Sequence, residues 1–357
     1  MSYESANAPY LRNAWYIGAW DYELDKGILA RTIMDEPIAF FRDAQGNAGA
    51  VEDRCCHRGA ALTDGKIIET GLQCGYHGLV FDTKGKCVEI PGQDHIPPMA
   101  NIKYYPVVEK QEFIWIWMGD PALADESKII DWPYHKDGAT PLPHCKDVLP
   151  FNANYLMLVD NLMDLTHLGF VHTKTIGGNA LQHVNALMET SRTENGCKFS
   201  RWMLNSNPPP TYVKAAGFKG NVDRWLQFEY VAPCLVKQYS GAIDVGKNAQ
   251  ENQNQPGFHS HIIHCSTPQT KNSSFYIWSA AHGYRTDDPR ATEELYGQLV
   301  PTFIEDVNMM ASQQARIDRN PERPLVNIKA DNALVHARRA FMAAYEAEQN
   351  QMRQAAE

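Results

Sequence analysis

The stretch CCHRGAALTDGKIIETGLQCGYHG, residues 55–78, concentrates thiols and imidazoles. Cys55 and His57 lie two residues apart; after sixteen intervening residues, Cys74 and His77 lie three apart. Such pairs can grip a metal, and cysteines alone can form a disulfide. A structural zinc site uses four ligands of these types, but zinc fingers usually group Cys with Cys and His with His. Here each segment supplies one of each. That division suits a [2Fe–2S] cluster in which one iron takes both thiolates and the other both imidazoles, with two loops clamping it from opposite sides. Gly75 and Gly78 would let backbone N–H groups approach the sulfides.

A second group lies in VDNLMDLTHLGFVH, residues 159–172. On a regular helix Asp160, Asp164 and His167 share one face. His172 follows five residues after His167, roughly 140° round the helix. Both imidazoles reach one ion only if the helix breaks between them, and Gly169 could permit that. Asp and His recurring on what should be the apolar side of an amphipathic helix point to a site.

These residues need elements to hold them. Residues 1–121 read as an antiparallel β domain of short strands: RNAWYIGAW, ILARTIMDEPIAFFRD, NAGAVED after the turn former DAQG, the hairpin LVFDTKGKCVEI, and FIWIWMGDP. Both Cys/His pairs fall in its loops. Residues 122–357 read as an α+β domain, a sheet with helices against it; strands dominate 185–285 and the end is helical. SNPPPTY (206–212) and GKNAQENQNQPG (246–257) read as mobile, because their composition cannot bury itself. No internal repeat is present.

Thirty-three basic against 42 acidic residues give a net charge of −9, and no Lys/Arg stripe offers a track for phosphates, so nucleic acid is not an expected partner. The N-terminus lacks a signal-peptide pattern, and the longest apolar runs, such as FIWIWM, fall well short of a membrane span. The expectation is a cytoplasmic protein, in which eight cysteines are poor evidence for disulfides. Cys87, Cys145, Cys197, Cys234 and Cys265, scattered singly, read as small buried residues.

The first spacing, with Arg58 after the first His and GYHG around the second, resembles the Rieske motif. Asp164-x2-His167-x4-His172 resembles the mononuclear-iron motif of Rieske oxygenases. With RNAWYIGAW, CCHR, VEIPGQ and WIWMGDPA, the resemblance extends over nearly the whole chain, to Rieske non-haem iron oxygenases of the vanillate O-demethylase and toluenesulfonate methyl-monooxygenase type. It implies a [2Fe–2S] cluster on Cys55, His57, Cys74 and His77. It also implies a helix-grip catalytic domain with Fe(II) on His167, His172 and a late-helix carboxylate. In FIEDVNMM that ligand maps onto Asp306, with Glu305 as the fallback. Two His and one carboxylate leave positions open for O2. Cys56 stands where the family commonly has proline and has no ligand role.

The resemblance further implies a head-to-tail homotrimer fed from NADH by a separate flavin and iron–sulfur reductase; no G-x-G-x-x-G follows a strand here. Asp164 would bridge His167 to His77 of the next subunit. The implied reaction is hydroxylation of a methyl carbon on an aromatic acid: a methoxybenzoate such as vanillate, or a toluenesulfonate-like compound. N-dealkylation and ring hydroxylation or dihydroxylation by the same centres are the alternatives. Lys237, in APCLVKQYSG, falls where relatives present a polar or cationic side chain to substrate, and His264 matches a pocket histidine. Strand alternation puts His259 and His261 on one side and His264 on the other. An electron carrier would not need the second ligand set, and a structural zinc protein would be colourless.

Overall fold

The structure, a computed structural model, describes residues 5–173, 176 and 179–356. It divides into two compact units: Tyr10–Trp132 with Thr267–Lys271, and Pro133–Ser266 with Asn272–Glu357 and the residues up to Pro9.

In the first unit, β1 (Trp15–Trp20), the single turn α1 (Asp21–Leu24), β2 (Leu29–Ile33), β3 (Glu36–Arg42) and β4 (Ala48–Glu52) lead into the first Cys/His segment. β5 (Lys66–Ile68) and β6 (Gly71–Gln73) lead into the second. β7 (Val80–Phe81), β8 (Cys87–Glu89), β9 (Tyr104–Tyr105), β10 (Val107–Lys110) and β11 (Phe113–Trp117) complete three antiparallel sheets, ordered β1-β11-β10, β2-β3-β4-β9 and β5-β6-β7-β8. WYIGAW and FIWIW show no polar alternation because every residue of β1 and β11 is buried. Between β2 and β3, Met34 and Asp35 take φ of 54° and 65°. Two left-handed residues make the tight turn whose twist matches the strands it joins. After Pro121 the chain stays tied to this unit: Trp15 Nε1 donates to the Asp125 carbonyl at 2.9 Å, and the Trp132 amide donates to Gln111 Oε1 at 2.7 Å.

The second unit begins with β12 (His144–Phe151), α2 (Leu156–Met163), α3 (Leu168–Val171) and α4 (Ala180–Val184). β13 (Leu187–Thr193), β14 (Gly196–Ser206), α5 (Pro210–Ala216), β15 (Val222–Val231), β16 (Leu235–Asp244), β17 (Phe258–Thr270) and β18 (Ser273–His282) follow. The long α6 (Pro289–Ile317) and α7 (Asn332–Ala356) end the chain. The strands form one seven-stranded sheet, β12-β18-β17-β16-β15-β14-β13. α6 packs on it through Phe303, whose ring lies 5.1 Å from Tyr276 and 5.0 Å from Trp278. α7 is tied to α2 by Arg338–Asp160, at 2.6 Å. An antiparallel β domain followed by a sheet-plus-helix domain is the expected fold. No helix of the described residues is long and apolar enough to cross a membrane.

Two segments expected to be mobile are anchored instead. Pro210 opens α5 at a position where its missing N–H costs nothing. That places Tyr212, 6% exposed, in a stack on Phe258 at 3.7 Å. In 246–257, Ala249 packs with Trp202, Trp225 and Ile243. One small apolar residue ties down a polar stretch that composition alone reads as loose.

Candidate metal centres and cavity

The two Cys/His loops are copies of one local structure. The Cys55 amide donates to the Ala60 carbonyl (2.8 Å), and the Cys55 carbonyl accepts from the Gly59 amide (2.9 Å). The Cys74 amide donates to the Leu79 carbonyl (2.8 Å), and the Cys74 carbonyl accepts from the Gly78 amide (3.1 Å). Gly59 and Gly78 both turn left-handed, with φ of 73° and 78°, which lets each loop fold back on its cysteine. Cys55 and Cys74 lie at the base, inside an apolar cluster with Phe41, Leu62, Leu72 and Phe81. His57 and His77 stand exposed, their rings 4.5 Å apart at 68°.

Burial pushes the Cys55 thiol up to about 11, and the adjoining Cys74 thiol adds to that. Side-by-side buried thiols give up their protons readily only to a metal. Sulfur donors at the base and nitrogen donors at the tip fit a two-iron cluster with one thiolate-bound and one imidazole-bound iron.

In the second unit, helix α2 stops at Met163 because Asp164 turns extended (φ −127°, ψ 105°). Its carboxylate accepts from the Thr166 amide (2.9 Å) and hydroxyl (2.8 Å), capping a new tight turn, Leu165–His167. The helix therefore breaks before His167, and the expectation of a break at Gly169 is corrected. Gly169 stays helical and serves close packing: a Cβ there would lie 2.3 Å from Ala180 Cα. The shared helical face also dissolves, with Asp160 turned to Arg338.

The result is convergence. Asp306 Oδ1 lies 3.1 Å from His172 Nε2 and 3.6 Å from His167 Nε2. The three donors lie within 4.8 Å of one another, a group that could hold one metal ion. His167 Nδ1 donates to the Asp164 carbonyl at 2.6 Å, and His172 Nδ1 to Glu305 Oε2 at 2.7 Å. Since both outer nitrogens donate to oxygen acceptors, both Nε2 lone pairs face inward, the tautomer that metal binding requires.

Burial depresses the His167 pKa, opposed by Asp306. At His172 burial is outweighed by Asp306 and Glu305, and the pKa rises. The carboxylates thus draw positive charge to this point. The adjacent acids of α6 have divided roles: Asp306, 5% exposed, faces both imidazoles, while Glu305 holds the outside of one. Asn161 Nδ2 also donates to Asp306 Oδ1 (3.1 Å), steadying it.

These groups form one wall of a cavity whose remaining lining is mainly apolar, with Leu226, Phe228, Ile262, Leu299 and Phe303 among it. His264, 1% exposed, lines it, with Nδ1 2.6 Å from the Tyr276 hydroxyl and Nε2 2.9 Å from Gln238 Oε1. Burial lowers its pKa to about 3, so it is neutral. His261 faces the other way, stacked between Tyr134 and Tyr239 at 4.0 and 4.4 Å.

Lys237 does not reach the cavity. It is bound to Glu229 at 2.8 Å, its cross-strand partner. Register explains this: Val236 pairs with His264, so Val236 and Gln238 share the cavity face and Lys237 takes the opposite one. The residues that sequence reading missed, Glu305 as an outer partner aside, are Asn161, Gln238 and Arg224. The only signal for Gln238 and Arg224 is parity with His264 along neighbouring strands; Asn161 sits on α2, facing Asp306.

Residues 14–106 match the Rieske [2Fe–2S] domain, and residues 151–347 match the vanillate O-demethylase oxygenase C-terminal domain. The chain belongs to this family of Rieske oxygenases. A toluene-4-sulfonate monooxygenase system iron–sulfur subunit of Comamonas testosteroni is 37% identical, over 92% of this chain and 95% of that protein. The vanillate O-demethylase oxygenase subunit of a Pseudomonas strain is 32% identical, over 95% and 96%. The crystal structure of dicamba monooxygenase bound to 3,6-dichlorosalicylic acid superposes with a TM-score of 0.88 at 30% identity, covering 96% of this chain and 99% of that one.

The protein is therefore an oxidoreductase, the oxygenase component of a multicomponent system, with a Rieske cluster and non-haem iron as its cofactors. A reductase must supply it, and O2 and an organic substrate are its reactants. In this oxygenase Glu305→Gln should weaken Fe(II) binding roughly ten- to a hundredfold, the usual effect of losing an outer partner of a ligating histidine. Iron titration of the stripped protein measures it, and an unchanged affinity would remove Glu305 from the site.

Proposed function

We propose that this oxygenase hydroxylates a methyl carbon of an aromatic acid. The observation that carries the reading is the His167–His172–Asp306 group forming a wall of a mostly apolar cavity. Cys55, His57, Cys74 and His77 hold the cluster, and His167, His172 and Asp306 hold the iron. When bound, the cluster relays single electrons and the iron activates O2. The chain's own residues do the rest: Leu226, Phe228 and Phe303 exclude water and present the ring, while neutral His264, held by Tyr276 and Gln238, offers no stray charge. Hydroxylating an O-methyl group gives a hemiacetal that falls apart to formaldehyde and a phenol; a ring methyl becomes an alcohol.

Relatives named as vanillate and dicamba O-demethylases support methyl oxidation over attack on the ring. We place the electron-accepting module in the unit of Tyr10–Trp132, past the 121/122 boundary expected from sequence, and the catalytic module in the other unit, working as a cytoplasmic homotrimer with an NADH-dependent flavin and iron–sulfur reductase. The test is formaldehyde release and product analysis across methoxylated, methylated and N-methylated aromatic acids with a surrogate reductase. A fully iron-loaded protein that leaves every methyl group intact, or that yields ring diols, would overturn the reading.

Asp164 is proposed to pass electrons from His77 of a neighbouring subunit to His167. Within the chain its link to His167 runs through the main-chain carbonyl, and its carboxylate caps Thr166. Asn caps as well as Asp, so Asp164→Asn should keep fold and both metal centres while removing the charge. Cluster re-oxidation in a single turnover should then slow severely. An unchanged rate would exclude Asp164 from the electron path.

A further inference from the structure

The cavity holds a cation that no carboxylate of the described residues pairs with. Arg224, on β15, is 4% exposed and lines the wall, its guanidinium 4.8 Å from the Tyr212 ring centre. Its Nε has no hydrogen-bond partner, and among the described residues no carboxylate forms an ion pair with it. Arg201, 3% exposed, stands on the same sheet face; burial disfavours its charged form, Asp164 opposes that, and Arg224 adds to it. Burying a guanidinium without an acid is costly, and structures retain it where a ligand supplies the missing charge.

The neighbouring hydroxyls each have a proton free to donate. Ser260 Oγ and Thr211 Oγ1 line the same cavity, are buried, and have no partner. Neutral His264 accepts the Tyr276 hydroxyl proton at Nδ1, so its Nε2–H donates to Gln238 Oε1. The Gln238 amide donates in turn to Ser240 Oγ at 2.6 Å, leaving the Ser240 hydroxyl proton for a further acceptor. Ser240 pairs with Ser260 across the strands, and the next row holds Arg224, Ala242 and Phe258. Along the strands, that row lies three same-face rows from His264, which packs with Phe303, one turn before Asp306. A cation and three hydroxyls without an acceptor are complementary to an oxyanion.

We propose that Arg224, with Ser260, Thr211 and Ser240, binds the anionic group of an aromatic carboxylate or sulfonate, held at the end of the cavity away from the oxidised methyl carbon. This rests on the methyl-oxidation reading above and names its substrate class. It also moves the anion anchor from Lys237, on the wrong face, to Arg224.

The test is calorimetric binding to the iron-loaded, anaerobic oxygenase of 4-methylbenzenesulfonate and 4-methylbenzoate, each against its neutral amide. Wild type should prefer the oxyanions. Arg224→Gln should weaken the preferred oxyanion roughly ten- to a hundredfold, the value of one charge-assisted contact, and change the amides little. Arg224→Lys, which keeps the charge but not the fork, should fall between, and Lys237→Met should match wild type. Iron content and the cluster signal verify folding; should Arg224→Gln fail to fold, Arg224→Lys carries the comparison.

A wild type that binds neither oxyanion more tightly than its amide overturns the proposal, as does an Arg224→Gln, or in its place an Arg224→Lys, with the wild-type ratio. Because the ratio is read without turnover, it stands or falls independently of whether a methyl group is oxidised.

Discussion

Asp306→Ala protein should purify brown, with an unchanged Rieske electron-paramagnetic signal, one fewer iron per chain and no turnover. Asp306 is the anionic member of the candidate ligand group, and its Oδ1 faces both imidazoles and the Asn161 amide. Alanine leaves two neutral nitrogens, and the loss should exceed the roughly hundredfold effect of losing an outer partner. The cluster is spared because its ligands come from a different compact unit, Tyr10–Trp132. Metal analysis, spectroscopy and product assay read the three parts separately. If Asp306→Ala keeps its iron while Glu305→Ala loses it, the two adjacent acids have been assigned in the wrong order.

Cys74→Ser should have the opposite signature: no cluster, no reductase-driven turnover, and catalytic iron still bound. Cys74, 3% exposed, is part of the apolar cluster beneath the loops. A serine hydroxyl there is a poor iron ligand and a polar group without water. Ligation contributes folding free energy, so its loss should also lower the melting temperature of this unit. The second unit should melt as in wild type, since it shares no ligand with the cluster. A variant that retains the brown colour and signal would show that Cys74 is not a ligand.

Both candidate metal groups were legible as clusters of residues because their information is local. Each cysteine and its histidine sit within one short loop, and the repeated Cys–Gly hydrogen bonding is set by residues a few positions apart. Asp164, His167 and His172 were legible for the same reason, although the helix breaks at the acid and not at the glycine. Asp306 needed a family pattern, because nothing in FIEDVNMM distinguishes it from Glu305 until α6 is docked.

What was not legible is everything that depends on strand register. Lys237 and His264 cannot both face the cavity when Val236 pairs with His264, yet nothing in either strand alone reveals the pairing. Arg224, in VDRWLQFEYV, stands out by nothing in its own strand; its guanidinium lies over the Tyr212 ring, which a different segment supplies.

The five residues Thr267–Lys271 group with the N-terminal unit, more than a hundred positions after its main segment ends at Trp132. There the Met34 and Asp35 amides donate to the Pro268 and Gln269 carbonyls at 3.0 and 2.9 Å, and Thr267 Oγ1 donates to the Ile17 carbonyl at 2.7 Å. Exchanging electron-receiving halves between relatives by one crossover near residue 132 would therefore join a foreign hairpin to a native strap. A working chimera must carry Thr267–Lys271 along with Tyr10–Trp132, two cassettes inherited as one.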